Sequence, residues 1–146
     1  MERVKKTLDL HKNGGLSCSQ AVLTVYGESC GISSADARIM GRTLAGGVGG
    51  RGETCGYVTG AMVILAYAYN REDEAGARKV THPIIVEFFR RFAEKRHSTI
   101  CKEILGADIS TEEGRKKIKE EKLFDKHCYS KDGIGRDVLD ILEDLL

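Results

Sequence analysis

The chain of 146 residues contains no tryptophan and a single proline, and neither sign of charge prevails, with 23 Lys plus Arg against 22 Asp plus Glu. The scarcity of proline excludes a proline-rich rod or linker. The charge balance leaves no global field to hold nucleic acid or an anionic membrane, so neither is expected as a partner. Long apolar runs are also missing: the longest, Ala61 to Tyr69, has nine residues, against the ~20 that span a bilayer. The opening stretch, MERVKKTLDLHKNGG, lacks the apolar core of a secretory signal. These absences predict a cytoplasmic protein. With 41% hydrophobic and 31% charged residues, the chain is expected to fold as one globular domain over 1–146.

What the chain does have is 17 glycines and five cysteines. An odd, widely spaced set of cysteines in a reducing compartment points to free thiols, metal ligands or a redox site rather than a disulfide scaffold.

Apolar spacing is helical throughout. Val4, Thr7, Leu8 and His11 mark a first helix that Gly14 and Gly15 stop. Ser17 and Gln20 have the spacing of a capping box, in which each side chain takes one free amide at a helix start, and Ala21, Val22, Val25 and Tyr26 follow as core up to Gly31. Ser33 or Ser34 caps a third helix through Ile39, Met40 and Leu44, and Gly46 to Gly52 form a loop. From about Thr54 to Asn70, apolar residues cover nearly the whole circumference, which predicts the central buried helix. Residues 71–82 are polar. Val80, Ile84, Ile85, Phe88, Phe89 and Phe92 then give an amphipathic helix with Pro83 in its early turns or as a kink. Ser98 caps a short helix ended by Gly106, and Ser110 with Glu113 offers a second capping box for a charged helix to about Lys122. Ile134, Val138, Ile141, Leu142 and Leu145 form the stripe of a last helix. The expectation is an all-α, single-domain bundle of about six or seven helices.

On this map Cys18, Cys55, Cys101 and Cys128 fall at helix N-termini, where free amides and the positive end of the dipole lower a thiol pKa. Cys30 falls near a helix C-terminus and reads as a core or spare thiol. The gaps between the four match no zinc-finger or ferredoxin spacing, so a shared site must be assembled by the fold. The loop contains GVGGRG, a literal GxGxxG, but it follows a helix instead of a strand and is not expected to bind nucleotide. Its glycines instead allow positive φ and close backbone approach to a site beside Cys55, and Arg51 could pair with an anionic cluster. No CxxCH occurs, so covalent c-type haem is not expected. His11, His82 and His97 read as solvent-facing or core polar residues.

The segments CSQAVL at 18–23, GGRGETCGYVTGAM at 49–62, CKEILGADIS at 101–110 and FDKHC at 124–128 resemble the redox-active protein family named for a CGAxxG motif and four cysteines. The resemblance covers nearly the whole chain. Tyr57 stands where the motif has Ala, placing a bulky phenol near the second cysteine. The resemblance implies a small helical protein with a redox role, related in this region to a domain found with multihaem electron carriers.

Residues and resemblance together predict that Cys18, Cys55, Cys101 and Cys128, with Gly56 and Arg51 beside them, bind an iron-sulfur cluster or another thiolate-bound metal and pass electrons to a partner. A thiol-disulfide oxidoreductase using one cysteine pair is the alternative, and a helical interaction protein with inert thiols is a third. A homodimer would follow if the apolar helices exceed what one chain can cover.

Overall fold

A computed structural model describes residues 1–146 as nine α-helices with no strand: α1 (Glu2–Lys12), α2 (Cys18–Gly27), α3 (Ser34–Leu44), α4 (Gly56–Ala68), α5 (Glu74–Lys95), α6 (Cys101–Leu105), α7 (Glu112–Glu120), α8 (Leu123–His127) and α9 (Ile134–Leu145). A 3-10 turn, Glu28–Cys30, follows α2. The all-α single domain is as expected. The helix number exceeds six or seven: the sequence marks eight helical segments, and the ninth is the short α8, Leu123–His127, which follows the left-handed Lys122. No helix is long and apolar enough to cross a membrane.

Local capping chemistry sets several helix starts. The Ser17 hydroxyl accepts the Gln20 amide and the Gln20 side chain accepts the Ser17 amide, completing the box that opens α2. Ser33 accepts the Asp36 amide and opens α3. Three starts differ from expectation. Ser98 does not cap α6: its hydroxyl accepts the Ile100 amide at 3.0 Å, and Ile100 itself is the N-cap, with no side-chain capping bond. Asp73 accepts the Gly76 amide at 2.7 Å, so α5 begins at Glu74 and Pro83 lies well inside it. The polar residues 74–82 form the largely exposed front half of that helix, which hid its start. The cap of α7 is Thr111, which accepts from Gly114, because the Ser110 hydroxyl is committed to the Asp108 carboxylate at 2.6 Å.

Helix α2 packs against α1, α3 and α4, while α9 closes the other side of α4 and carries α5. Val22, Tyr26, Val58, Leu65, Phe88, Leu139 and Leu142 share the main core. Burying side chains of this size stabilises by ~1.5–3 kcal/mol each. Helix α4 is central but not buried all round: Tyr67 is half exposed. The crossing of α2 and α3 is very close, since a Cβ on Gly41 would lie 2.6 Å from the Gln20 Cα. There the buried Ser19 hydroxyl donates to the Gly41 carbonyl at 2.6 Å. Arg3 grips Glu143 with two bonds of 2.9 and 2.8 Å, and the Tyr26 hydroxyl donates to the same carboxylate. That anchor fixes α1 against α2 and α9 and so sets where its far end, carrying His11, comes to lie.

A second small core of Leu105, Ile118 and Leu123 joins α6, α7 and α8, with Cys101, Ile109, Phe124 and Cys128 packed against its edge.

Candidate functional site

Four segments distant in sequence deliver the four cysteines. Cys18 is the first residue of α2, Cys55 immediately precedes α4, and Cys101 is the first residue of α6. Cys128 departs from expectation: it ends α8, five residues ahead of the Gly133 that starts α9. It therefore sits at a helix C-terminus. The cause is the short helix α8, whose start is a left-handed Lys122, a conformation that sequence spacing does not announce.

The glycine loop does the assembling. Gly46, Gly47, Gly49, Gly50 and Gly52 all have φ between 62° and 73°, so the backbone coils tightly on itself, as the sequence led us to expect. Beyond the loop, Thr54 bridges Ile100 in antiparallel fashion. The Cys55 amide donates to Thr99 at 2.7 Å and the Cys101 amide to Glu53 at 2.6 Å. These bonds fasten the second and third cysteines side by side. Close approach does the rest: a Cβ on Gly56 would overlap the Cys18 Sγ, and one on Gly47 would meet the Cys101 Cβ at 2.8 Å.

Cys18, Cys55, Cys101 and Cys128 consequently line one cavity of about 620 Å³. Cys30 does not line it. Residues 16–144 match the family described as "Putative redox-active protein (C_GCAxxG_C_C)". The chain belongs to this redox-active family. Neither a curated protein nor a solved structure matches it. The four cysteines that the sequence resemblance implied are those that line the cavity, and the fifth, Cys30, lies outside it.

Of the remaining residues expected at the family site, Gly56 forms part of the cavity wall, whereas Arg51 is exposed and lies outside the lining. The cations that do line it are Lys12 and Arg42.

The electrostatics reverse the expectation of lowered thiol pKa values. Cys18 receives the backbone amides of Gly46, Ser19 and Gly56, and Cys55 those of Tyr57 and Val58; all of these favour a thiolate. Burial outweighs them, so both thiols lie above their usual range, and Cys55 is raised further by Cys18 and Cys101. Cys101 is pushed up to about 12 by burial, then by Cys18 and Asp108. Cys128 is raised well up by burial and then by the other three cysteines. Burial in a low dielectric costs a charge more than a few aligned amides return. Without a positive counter-charge the four thiols are neutral at pH 7, and each makes ionisation of the next harder.

The sequence did not single out His11 or Tyr129 as site residues. The His11 Nδ1 and the Tyr57 hydroxyl share a hydrogen bond of 2.7 Å, and the His11 ring meets Tyr129 edge-on at 5.0 Å and Phe124 at 6.2 Å. All four line the thiol cavity. His11 had one sequence signal: it falls a turn before the Gly14-Gly15 break that leads into Cys18. Tyr57 is fully buried, and its ring takes the space that a side chain at position 135 would need, since a Cβ on Gly135 would lie 2.6 Å from the Tyr57 Cζ.

Burial lowers the His11 pKa from 6.5 to about 4. In the unfolded chain His11 takes up a proton near pH 6.5, whereas the folded protein keeps it neutral until about pH 4, so stability falls as the pH drops through that window. The loss should reach about 2–3 kcal/mol after discounting for the partial exposure of the residue. Denaturant titrations between pH 7 and 4 should show this decline in the wild type and a much flatter profile in His11→Gln. Equal declines in the two proteins would contradict the assignment.

Proposed function

We propose that Cys18, Cys55, Cys101 and Cys128 together hold an iron-sulfur cluster or another thiophilic metal centre, through which the protein passes electrons to a partner. The observation that carries this reading is the convergence of four thiols, from four remote segments, on one cavity. Sulfur donors select soft metals and clusters. A single tetrahedral ion suits the arrangement poorly: it needs its sulfur ligands at ~2.3 Å, and no three His, Cys, Asp or Glu side chains form a group that could hold one ion.

When bound, such a centre supplies one-electron transfer. The chain's own contribution is to hold the donors and to offer amides to the Cys18 and Cys55 sulfurs, which stabilise negative charge there. Tyr57, Phe124 and His11 add aromatic surface to the lining of the same cavity. Deprotonated sulfur ligands are required, and a reducing compartment such as the cytoplasm keeps them free.

A second reading has its own support. Because Gly56 lacks a Cβ, the Cys18 Sγ lies against the turn that begins with Cys55. The pair could therefore exchange with a partner disulfide: Cys18 and Cys55 lose two protons and two electrons to form one S–S bond, and the partner's disulfide becomes two thiols.

Anaerobic purification followed by metal and acid-labile sulfide analysis, with an absorption spectrum, tests the first reading. Bound iron and sulfide with visible absorption bands are expected. Colourless, metal-free protein whose free thiol count drops by two on mild oxidation would replace it with the second. An unchanged count would leave the thiols inert.

A further inference from the structure

A second cavity of about 460 Å³ opens between α7 and α8 and contains no cysteine. Its floor is apolar, made by Ile109, Ile118 and Phe124, while Arg115, Lys119 and Lys122 stand around its rim with Asp125 as the one acid. The neighbouring Lys116 reaches Glu120, but none of the three rim cations forms an ion pair. Arg115 donates only to the Ile109 carbonyl, at 3.1 Å. Lys122 holds φ at 52°, in the left-handed region that favours glycine, so a lysine is kept at the rim in a backbone conformation that disfavours it.

We propose that this cleft binds a small amphiphilic anion, its apolar body on Ile109, Ile118 and Phe124 and its acidic group among Arg115, Lys119 and Lys122. Apolar area supplies the contact, and three cations against the single Asp125 supply the selection for negative charge, the usual division in a small-molecule site. Ile109 and Phe124 also line the thiol cavity. A molecule in the cleft is therefore separated from that cavity by those two side chains. The inference goes beyond the role of the thiols and does not depend on whether they hold a metal.

Fluorescence titration of the full chain with anilinonaphthalene sulfonate, beside the uncharged phenylnaphthylamine, tests it. One saturable site per chain is expected for the anion, with the neutral probe about tenfold weaker. Lys119→Glu combined with Lys122→Glu should weaken the anion about tenfold and leave the neutral probe unchanged. Lys119→Gln alone should act in the same direction should the double variant fail to fold. In the unmodified protein, the sulfonate should shift the methyl resonances of Ile109 and Ile118. Equal affinity for the two probes, indifference to the lysine changes, or shifts confined to other methyl groups would overturn the proposal.

Discussion

On the proposed reading, serine at Cys18, Cys55, Cys101 or Cys128 is expected to lower bound metal by more than about tenfold in each variant, since losing a direct ligand should exceed the ~10-fold to 100-fold cost of losing an outer-shell partner. Serine at Cys30 should leave metal content unchanged. The contrast follows from placement: four cysteines line one cavity, while Cys30 ends the 3-10 turn after α2 and packs against the main core. The measurement is metal and sulfide per chain after anaerobic purification, with helical circular dichroism to confirm folding. If the wild type binds no metal, the same series read by disulfide formation should lose it at Cys18 and Cys55. Retention in Cys55→Ser together with loss in Cys30→Ser would contradict the assembly described here. The pattern should not follow helix position, because Cys128 lies at a helix C-terminus and still belongs to the group.

Tyr57→Ala should destabilise this protein by about 3–5 kcal/mol, the usual cost of truncating a large buried aromatic. The ring is fully buried against Gly135, which has no side chain to fill the space, and its hydroxyl bonds to His11. Tyr57→Phe keeps the ring and removes only the hydrogen bond, so about 1–2 kcal/mol is expected from it. Denaturant unfolding of the three proteins at pH 7 separates packing from hydrogen bonding. A Tyr57→Ala cost below about 1 kcal/mol would mean that neighbouring side chains refill the space. Gly135 leaves room for the Tyr57 ring, and His11 shares a hydrogen bond with its hydroxyl.

The all-α architecture was legible in the sequence because its signals act within one or two turns. Apolar residues three and four apart mark each buried face, and the Ser17–Gln20 box and the Ser33 cap are made by residues three apart. The glycine loop was legible for the same reason, since positive φ is a local demand that glycine meets. The grouping of Cys18, Cys55, Cys101 and Cys128 came from the family pattern and from placing all four at helix N-termini, which holds for Cys18, Cys55 and Cys101 but not for Cys128. Tertiary structure decided what depends on contacts between remote residues. It set His11 beside Tyr57 across 46 positions of chain, left Arg51 in solvent, and put Cys128 at the end of α8. It also reversed the sign of the thiol pKa shifts. A helix terminus is visible in sequence, but the depth at which a sulfur is buried depends on every segment packed over it. That depth, more than the local dipole, sets what a charge there costs.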